Sequence, residues 1–79
     1  MNRIHQLAIN AEGFVFDPTT GESFTVNPTG LTILNGLKED KSTEIIVEQL
    51  MTDFEVSAEE AEKDIVDFKT LLRTHKLLS

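Results

Sequence analysis

The sequence predicts one α+β domain spanning residues 1–79: a three-stranded antiparallel sheet followed by three helices. Three observations predict it. Apolar residues alternate with a period of two through the first third of the chain. The period turns helical at Asn27-Pro28. Beyond that point, polar breaks and cap residues divide the chain into three amphipathic stretches.

His5, Leu7 and Ile9 alternate with polar or small residues and suggest a first strand. Phe14-Val15-Phe16 and Phe24-Thr25-Val26 are β-branched and aromatic, and the Asp17-Pro18-Thr19-Thr20-Gly21-Glu22 stretch joins them into a hairpin. Pro18 fixes φ early in the turn, and Gly21 can take the positive φ at which the ribbon closes. Asn27 suits an N-cap and Pro28 the first helical position, where a missing N–H leaves nothing unpaired. The first helix then runs to about Leu37, with Gly30, Ile33, Leu34 and Leu37 on one face. Glu39-Asp40-Lys41 is a polar loop, and Ser42 or Thr43 caps a second helix with Ile46, Val47, Leu50, Met51 and Phe54 facing inward. Ser57 and Glu60 form a capping box that opens the third and longest helix, whose core stripe is Ala61, Ile65, Phe68 and Leu72. Lys69, Arg73 and Lys76 suit the negative end of that helix, and Leu77 and Leu78 are expected to fold back onto the core. Strands followed by such helices give the domain winged helix-turn-helix character.

Composition narrows the function. With 79 residues, only about 60% of the unfolded surface is buried on folding. The chain has no Cys, hence no disulfide framework and no thiolate metal site, which suits a reducing cytoplasm. The opening MNRIHQLAIN lacks the apolar stretch of a signal peptide, and the longest apolar run, Ile45-Ile46-Val47, is far too short to span a membrane. A soluble, cytoplasmic protein is expected. Fourteen acidic against seven basic residues give a net charge of −7, concentrated between Lys38 and Asp67. Such a surface repels phosphate backbones and argues against nucleic acid as a partner. Plain solubility is the readier explanation of the charge.

Catalysis finds no foothold. His5 and His75 lie at opposite ends of the chain, and no H-x-x-x-H, phosphate-cradling glycine loop or nucleophile elbow occurs. Glu59, Glu60 and Glu62 point around a helix as a solvated face, while Ser57 and Thr43 read as caps. The expectation is therefore no enzyme, no cofactor and no metal.

Three stretches resemble the PqqD family of recognition elements for ribosomally made and modified (RiPP) peptides. They are Phe24-Thr25-Val26-Asn27-Pro28-Thr29-Gly30; Ser42-Thr43-Glu44-Ile45-Ile46 with Leu50 and Phe54; and Val56-Ser57 leading to Asp64, Phe68, Leu71, Leu72 and Leu77-Leu78. Each motif is weak alone, but their order over Phe14 to Leu78 is specific. Two departures stand out: Glu39-Asp40 replaces the glycine usual after the first helix, and Ile45 stands where a polar residue is common. The resemblance implies a winged helix-turn-helix peptide chaperone of natural-product biosynthesis. Such a domain binds the leader of a precursor peptide as an extra strand beside the third strand, over the third helix. It presents the leader to a partner enzyme such as a radical SAM protein, a cyclodehydratase, a lanthipeptide dehydratase or a leader peptidase.

The residues themselves suit that task. Ser23 to Asn27 is short and uncharged, and at a sheet edge its backbone could pair with a guest chain. The peptide-contacting set on this reading is Phe24, Thr25, Val26 and Asn27 from the strand, with Asp64, Asp67, Phe68 and Leu71 from the helix. Asp64, Phe68, Leu71 and His75 share one side of the third helix, with Asp67 at its border. There Phe68 and Leu71 would line a pocket, or serve as ordinary core, while the two aspartates would fix a basic or amide group, or simply face solvent. A Val26→Pro change would remove a ladder donor if that N–H faces the open edge. Val66, on the opposite face, is left as a second contact surface or a lone exposed residue. A monomer or weak dimer is expected. One alternative is a DNA-binding winged-helix regulator, which the absence of Lys and Arg from Thr43 to Phe54 disfavours. The other is a generic protein-binding adaptor.

Overall fold

The computed structural model describes residues 3–78. A 3-10 turn (Ile4–Gln6) leads into β1 (Ala8–Ile9), β2 (Phe14–Asp17) and β3 (Glu22–Thr25). Three helices follow, α1 (Pro28–Lys38), α2 (Thr43–Phe54) and α3 (Ala58–Thr74). The strands pair antiparallel in the order β1-β2-β3, so β3 is an edge. The expected α+β order of three strands, then three helices, is the one found.

The first strand is much shorter than the His5, Leu7, Ile9 alternation suggests. Ile4 and Leu7 lie three residues apart, and one tight turn buries both, with the Leu7 N–H donating to Ile4 O at 3.2 Å. His5 is thereby turned outward, where its Nε2 meets Asp40 Oδ1 at 3.0 Å. Two residues of β1 remain. The β2–β3 hairpin matches expectation: Gly21 takes φ +77, and its N–H donates to Asp17 O at 2.8 Å.

Asn27 caps α1, its Oδ1 accepting the Gly30 N–H at 2.8 Å, with Pro28 beginning the helix. Gly36 lets α2 come close: a Cβ there would sit 2.7 Å from Ile46 Cγ1. In the loop after α1, Asp40 adopts φ +59, the left-handed conformation that glycine takes without cost. That accommodates the missing loop glycine noted in the sequence. Ser42, not Thr43, caps α2. Met51 is a correction, for it lies 40% exposed on α2 while Ile46, Val47 and Leu50 are buried and Phe54 is half-buried. Positions 47, 50 and 54 hold the stripe, and 51 falls at its margin. Ser57 Oγ accepts the Glu60 N–H at 3.1 Å to open α3.

The core has two lobes. Ile4, Leu7, Val15, Leu34, Leu72 and Leu77 pack between the sheet and the helices; Ile33, Ile46, Val47, Leu50, Ala61 and Ile65 join the three helices. Leu37 and Phe68, each half-buried, pack against both lobes. The chain closes at its far end through Lys76 at φ +59 and the Leu77 N–H donating to Leu72 O, a left-handed cap that turns Leu77 into the core. Among the described residues no helix is long and apolar enough to cross a membrane.

Candidate functional site

Which way each backbone group of β3 points can be worked out from one hydrogen bond. The Val26 N–H donates to Gly13 O at 2.9 Å, so Val26 faces β2. Direction alternates along a strand, so Phe24 also faces β2, whereas Ser23 and Thr25 turn their N–H and C=O outward. Their partners agree. Phe14 stands opposite Thr25, yet its backbone is engaged on the β1 side: its N–H donates to Asn10 Oδ1 at 2.9 Å and its O accepts the Asn10 N–H at 3.0 Å. Among the described residues no strand pairs with the outer edge of β3. The conditional expectation for Val26→Pro therefore fails in its premise, because that N–H belongs to the hairpin and the free donors are those of Ser23 and Thr25.

Beside this edge runs α3, antiparallel to β3. The antiparallel course is fixed by two contacts. Within β3, the Phe24 and His75 rings stack with centroids 6.3 Å apart, while beyond its end Asn27 shares a hollow with Asp64, Asp67 and Phe68. A second hollow, 590 Å³ against 290 Å³ for the first, lies between Ser23, Phe24 and Thr25 and the last turn of α3. Leu71, 46% exposed, borders both and makes them one trough. The structure thus brings together Phe24, Thr25, Asn27, Asp64, Asp67, Phe68 and Leu71. Val26 stands apart, half-buried against the sheet-side core.

Phe68 joins the two readings offered by its sequence position, since it packs against both core lobes and also lines the trough. Gly30 permits this: a Cβ there would lie 3.0 Å from Phe68 Cε1, so the ring rests on the first turn of α1. Glycine inside a helix costs about 0.5–1 kcal/mol relative to alanine, and that cost was the signal available in the sequence. Asp67 is exposed, 3.5 Å from Lys63, and Asp64 is half-buried with no partner among the described residues. The α2 surface has no cation to offer nucleic acid.

Sequence reasoning missed the clamp at the other end of the trough. Arg3 Nη1 meets Asp17 Oδ2 at 2.9 Å, while Arg3 Nε and Nη2 donate to Lys76 O and His75 O. One side chain ties the entry of the chain to the hairpin and to the end of α3. Burial works to raise the Asp17 pKa, but the Thr19 N–H, the Arg3 charge and hydrogen bonds from Thr20 and Arg3 together outweigh it. The carboxyl is held below the ordinary aspartate value. No local period pairs residues 3 and 17 with 76, so periodicity carries no trace of it. Among the described residues no group of His, Asp and Glu could hold a metal ion.

A family model described as coenzyme PQQ synthesis protein D (PqqD) matches residues 12–78. Two solved structures are similar. One, "Lasso peptide synthetase B1 complexed with the leader peptide", is 27% identical with a TM-score of 0.73, covering 87% of this chain and 82% of that one. The other, "TbiB1 in complex with the TbiA(beta) leader peptide", is 27% identical with a TM-score of 0.78, covering 92% and 86%. No curated protein sequence matches the chain.

Proposed function

The chain belongs to the PqqD family, and from that premise we propose that it is a non-catalytic recognition element for RiPP precursors. It binds the leader of a ribosomally made precursor as a fourth strand on β3 and presents it to a modifying enzyme or leader peptidase. The observation that carries this is the outward N–H and C=O of Ser23 and Thr25 above a trough floored by Phe68 and Leu71. Both similar structures are named for complexes with a leader peptide, which supports the same use here.

Magnitudes divide the labour. An antiparallel guest exchanging two bonds with each of Ser23 and Thr25 gains about 0.5–1.5 kcal/mol per bond, about 2–6 kcal/mol together. Association costs at least about 4 kcal/mol in lost freedom, so the ladder alone leaves at most about 2 kcal/mol and holds a leader only weakly. Burying one leader Leu or Phe adds about 1.5–3 kcal/mol, and the trough therefore decides which leader binds. Asp64 and Asp67 at its rim favour a basic or amide side chain there.

The test is an NMR titration with the N-terminal segment of a short precursor peptide, which the reading requires to be encoded near this chain. Amide shifts should move together along Ser23 to Asn27 and the trough side of α3. Shifts confined to α2 would overturn the reading.

A further inference from the structure

We infer that His75 is a leader-contacting residue that serves only when uncharged: its ring, held against Phe24, is the wall on which an apolar leader side chain rests, so leader binding weakens in mild acid. The inference rests on the leader-binding reading above.

The β3 ladder decides which leader side chain arrives there. Phe24 turns its N–H and C=O toward β2, so across the open edge it forms a non-hydrogen-bonded pair with a guest residue, the Cα atoms about 4.5 Å apart. Paired side chains lie on the same face, and that of Phe24 packs on the sheet-side core. The guest side chain opposite Phe24 therefore enters the 590 Å³ hollow between β3 and the last turn of α3, where His75 and Leu71 line the wall.

His75 is exposed, yet its backbone is held from three directions. Its N–H donates to Leu71 O at 3.1 Å, closing the helix. Arg3 Nη2 donates to its carbonyl at 3.5 Å, and Leu77, two residues on, is buried in the core. The imidazole plane lies 11° from that of the Phe24 ring with centroids 6.3 Å apart, an offset stack. The ring is thus fixed at the rim of the hollow by its surroundings.

Its charge is not provided for. Among the described residues no hydrogen bond or ion pair reaches the His75 ring nitrogens, whereas His5 has Asp40 at 3.0 Å. The charged groups around the hollow cancel: Arg3 pairs with Asp17 of the hairpin, and Glu22 of β3 is balanced by Lys76 beyond α3. Arg73 of α3 lies outside this lining. In the free protein a proton on His75 is solvated by water at the negative end of α3. Under a bound leader the same proton has lost its water and gained no carboxylate, which disfavours the charged form. Linkage then lowers leader affinity as pH falls through the range in which imidazole charges.

The test measures affinity for the precursor's N-terminal segment, any histidine of its own replaced by glutamine, from about pH 8 to about pH 5.5. Wild type should weaken about tenfold across that interval. His75→Phe, a flat wall without a proton, should give a level profile, and His75→Gln serves if the phenylalanine variant melts below the assay temperature. His5→Gln should keep the wild-type profile. A level wild-type profile overturns the inference. So does a folded, uncharged variant at position 75 that weakens in acid as wild type does, and so does the loss of the pH dependence in His5→Gln. Wild-type protein that binds no segment at about pH 8 would instead sink the leader-binding reading.

Discussion

Proline substitution at adjacent positions of β3 separates the ladder from the fold. The Thr25 N–H points to the open edge, and the Thr25 side chain is exposed. Thr25→Pro therefore removes no bond of the free protein, and proline is tolerated on an edge strand whose N–H side faces solvent. The preceding Phe24 is extended, as a residue before proline must be. With a leader bound, one ladder bond is lost. At about 0.5–1.5 kcal/mol this weakens binding about 2- to 12-fold, and the ring at the edge adds to the loss.

Val26→Pro does the reverse. It deletes the bond to Gly13 O and exchanges a half-buried valine on the core for a ring. The melting temperature should drop, and binding should fail only to the extent that the domain unfolds. Fluorescence anisotropy with a labelled leader segment, run beside thermal melts, resolves the two. A folded Thr25→Pro variant that binds like wild type would mean that no guest strand pairs with β3. Equal destabilisation by the two prolines would mean that the alternation deduced from the Val26–Gly13 bond is wrong.

Leu71→Ala should weaken leader binding by about 1 kcal/mol, part of the value of a fully buried leucine, with an unchanged melt, because Leu71 is 46% exposed. Phe68→Ala should instead cost about 3–5 kcal/mol of stability as measured by urea unfolding, since its ring packs against both lobes. Gly36→Ala should destabilise by about 1–3 kcal/mol in the same assay, the new methyl meeting Ile46 Cγ1 at 2.7 Å. Asp17→Asn should lower the melting temperature at neutral pH. The folded carboxyl titrates below its unfolded value of about 3.9, so its contribution is present above that pH and is lost as pH falls through the folded pKa. The gap between wild-type and variant melts should begin to close below about pH 4 and vanish below the folded pKa, and a gap that persists in strong acid would refute the role given to the Arg3–Asp17 pair.

What the sequence made legible follows from the range of each signal. Asn27-Pro28, Ser42 and Ser57 act within one turn, so the three helix starts could be read directly. The β2–β3 hairpin is nearly as local. Ile4 and Leu7 show where local reading fails: their spacing fits a 3-10 turn as well as a strand, and only the core they fill decides. The seven trough residues were recoverable because helical periodicity groups Asp64, Phe68 and Leu71, and the resemblance sets them beside β3. Two things could not be recovered. One was which strand residues face outward, since a register shift of one residue inverts every backbone direction without altering composition. The other was Arg3, whose partners lie at positions 17, 75 and 76 and leave no periodic trace.

The acidity that looked like mere solubility acquires a sharper consequence once the edge is located. An open edge strand is a template for self-association, and natural sheets guard against it with short edges and charge. β1 is guarded by its length, two residues. β3 has four, and only Glu22 among them is charged, so nothing local prevents two copies from pairing edge to edge. The remaining guard is long-ranged. Each copy carries −7, and two such bodies must approach to about 5 Å, well inside the screening length of about 8 Å at physiological ionic strength. A neutral or basic peptide meets no such barrier. The same charge that makes the protein a poor partner for nucleic acid works against edge-to-edge pairing of two copies, and not against a neutral or basic guest.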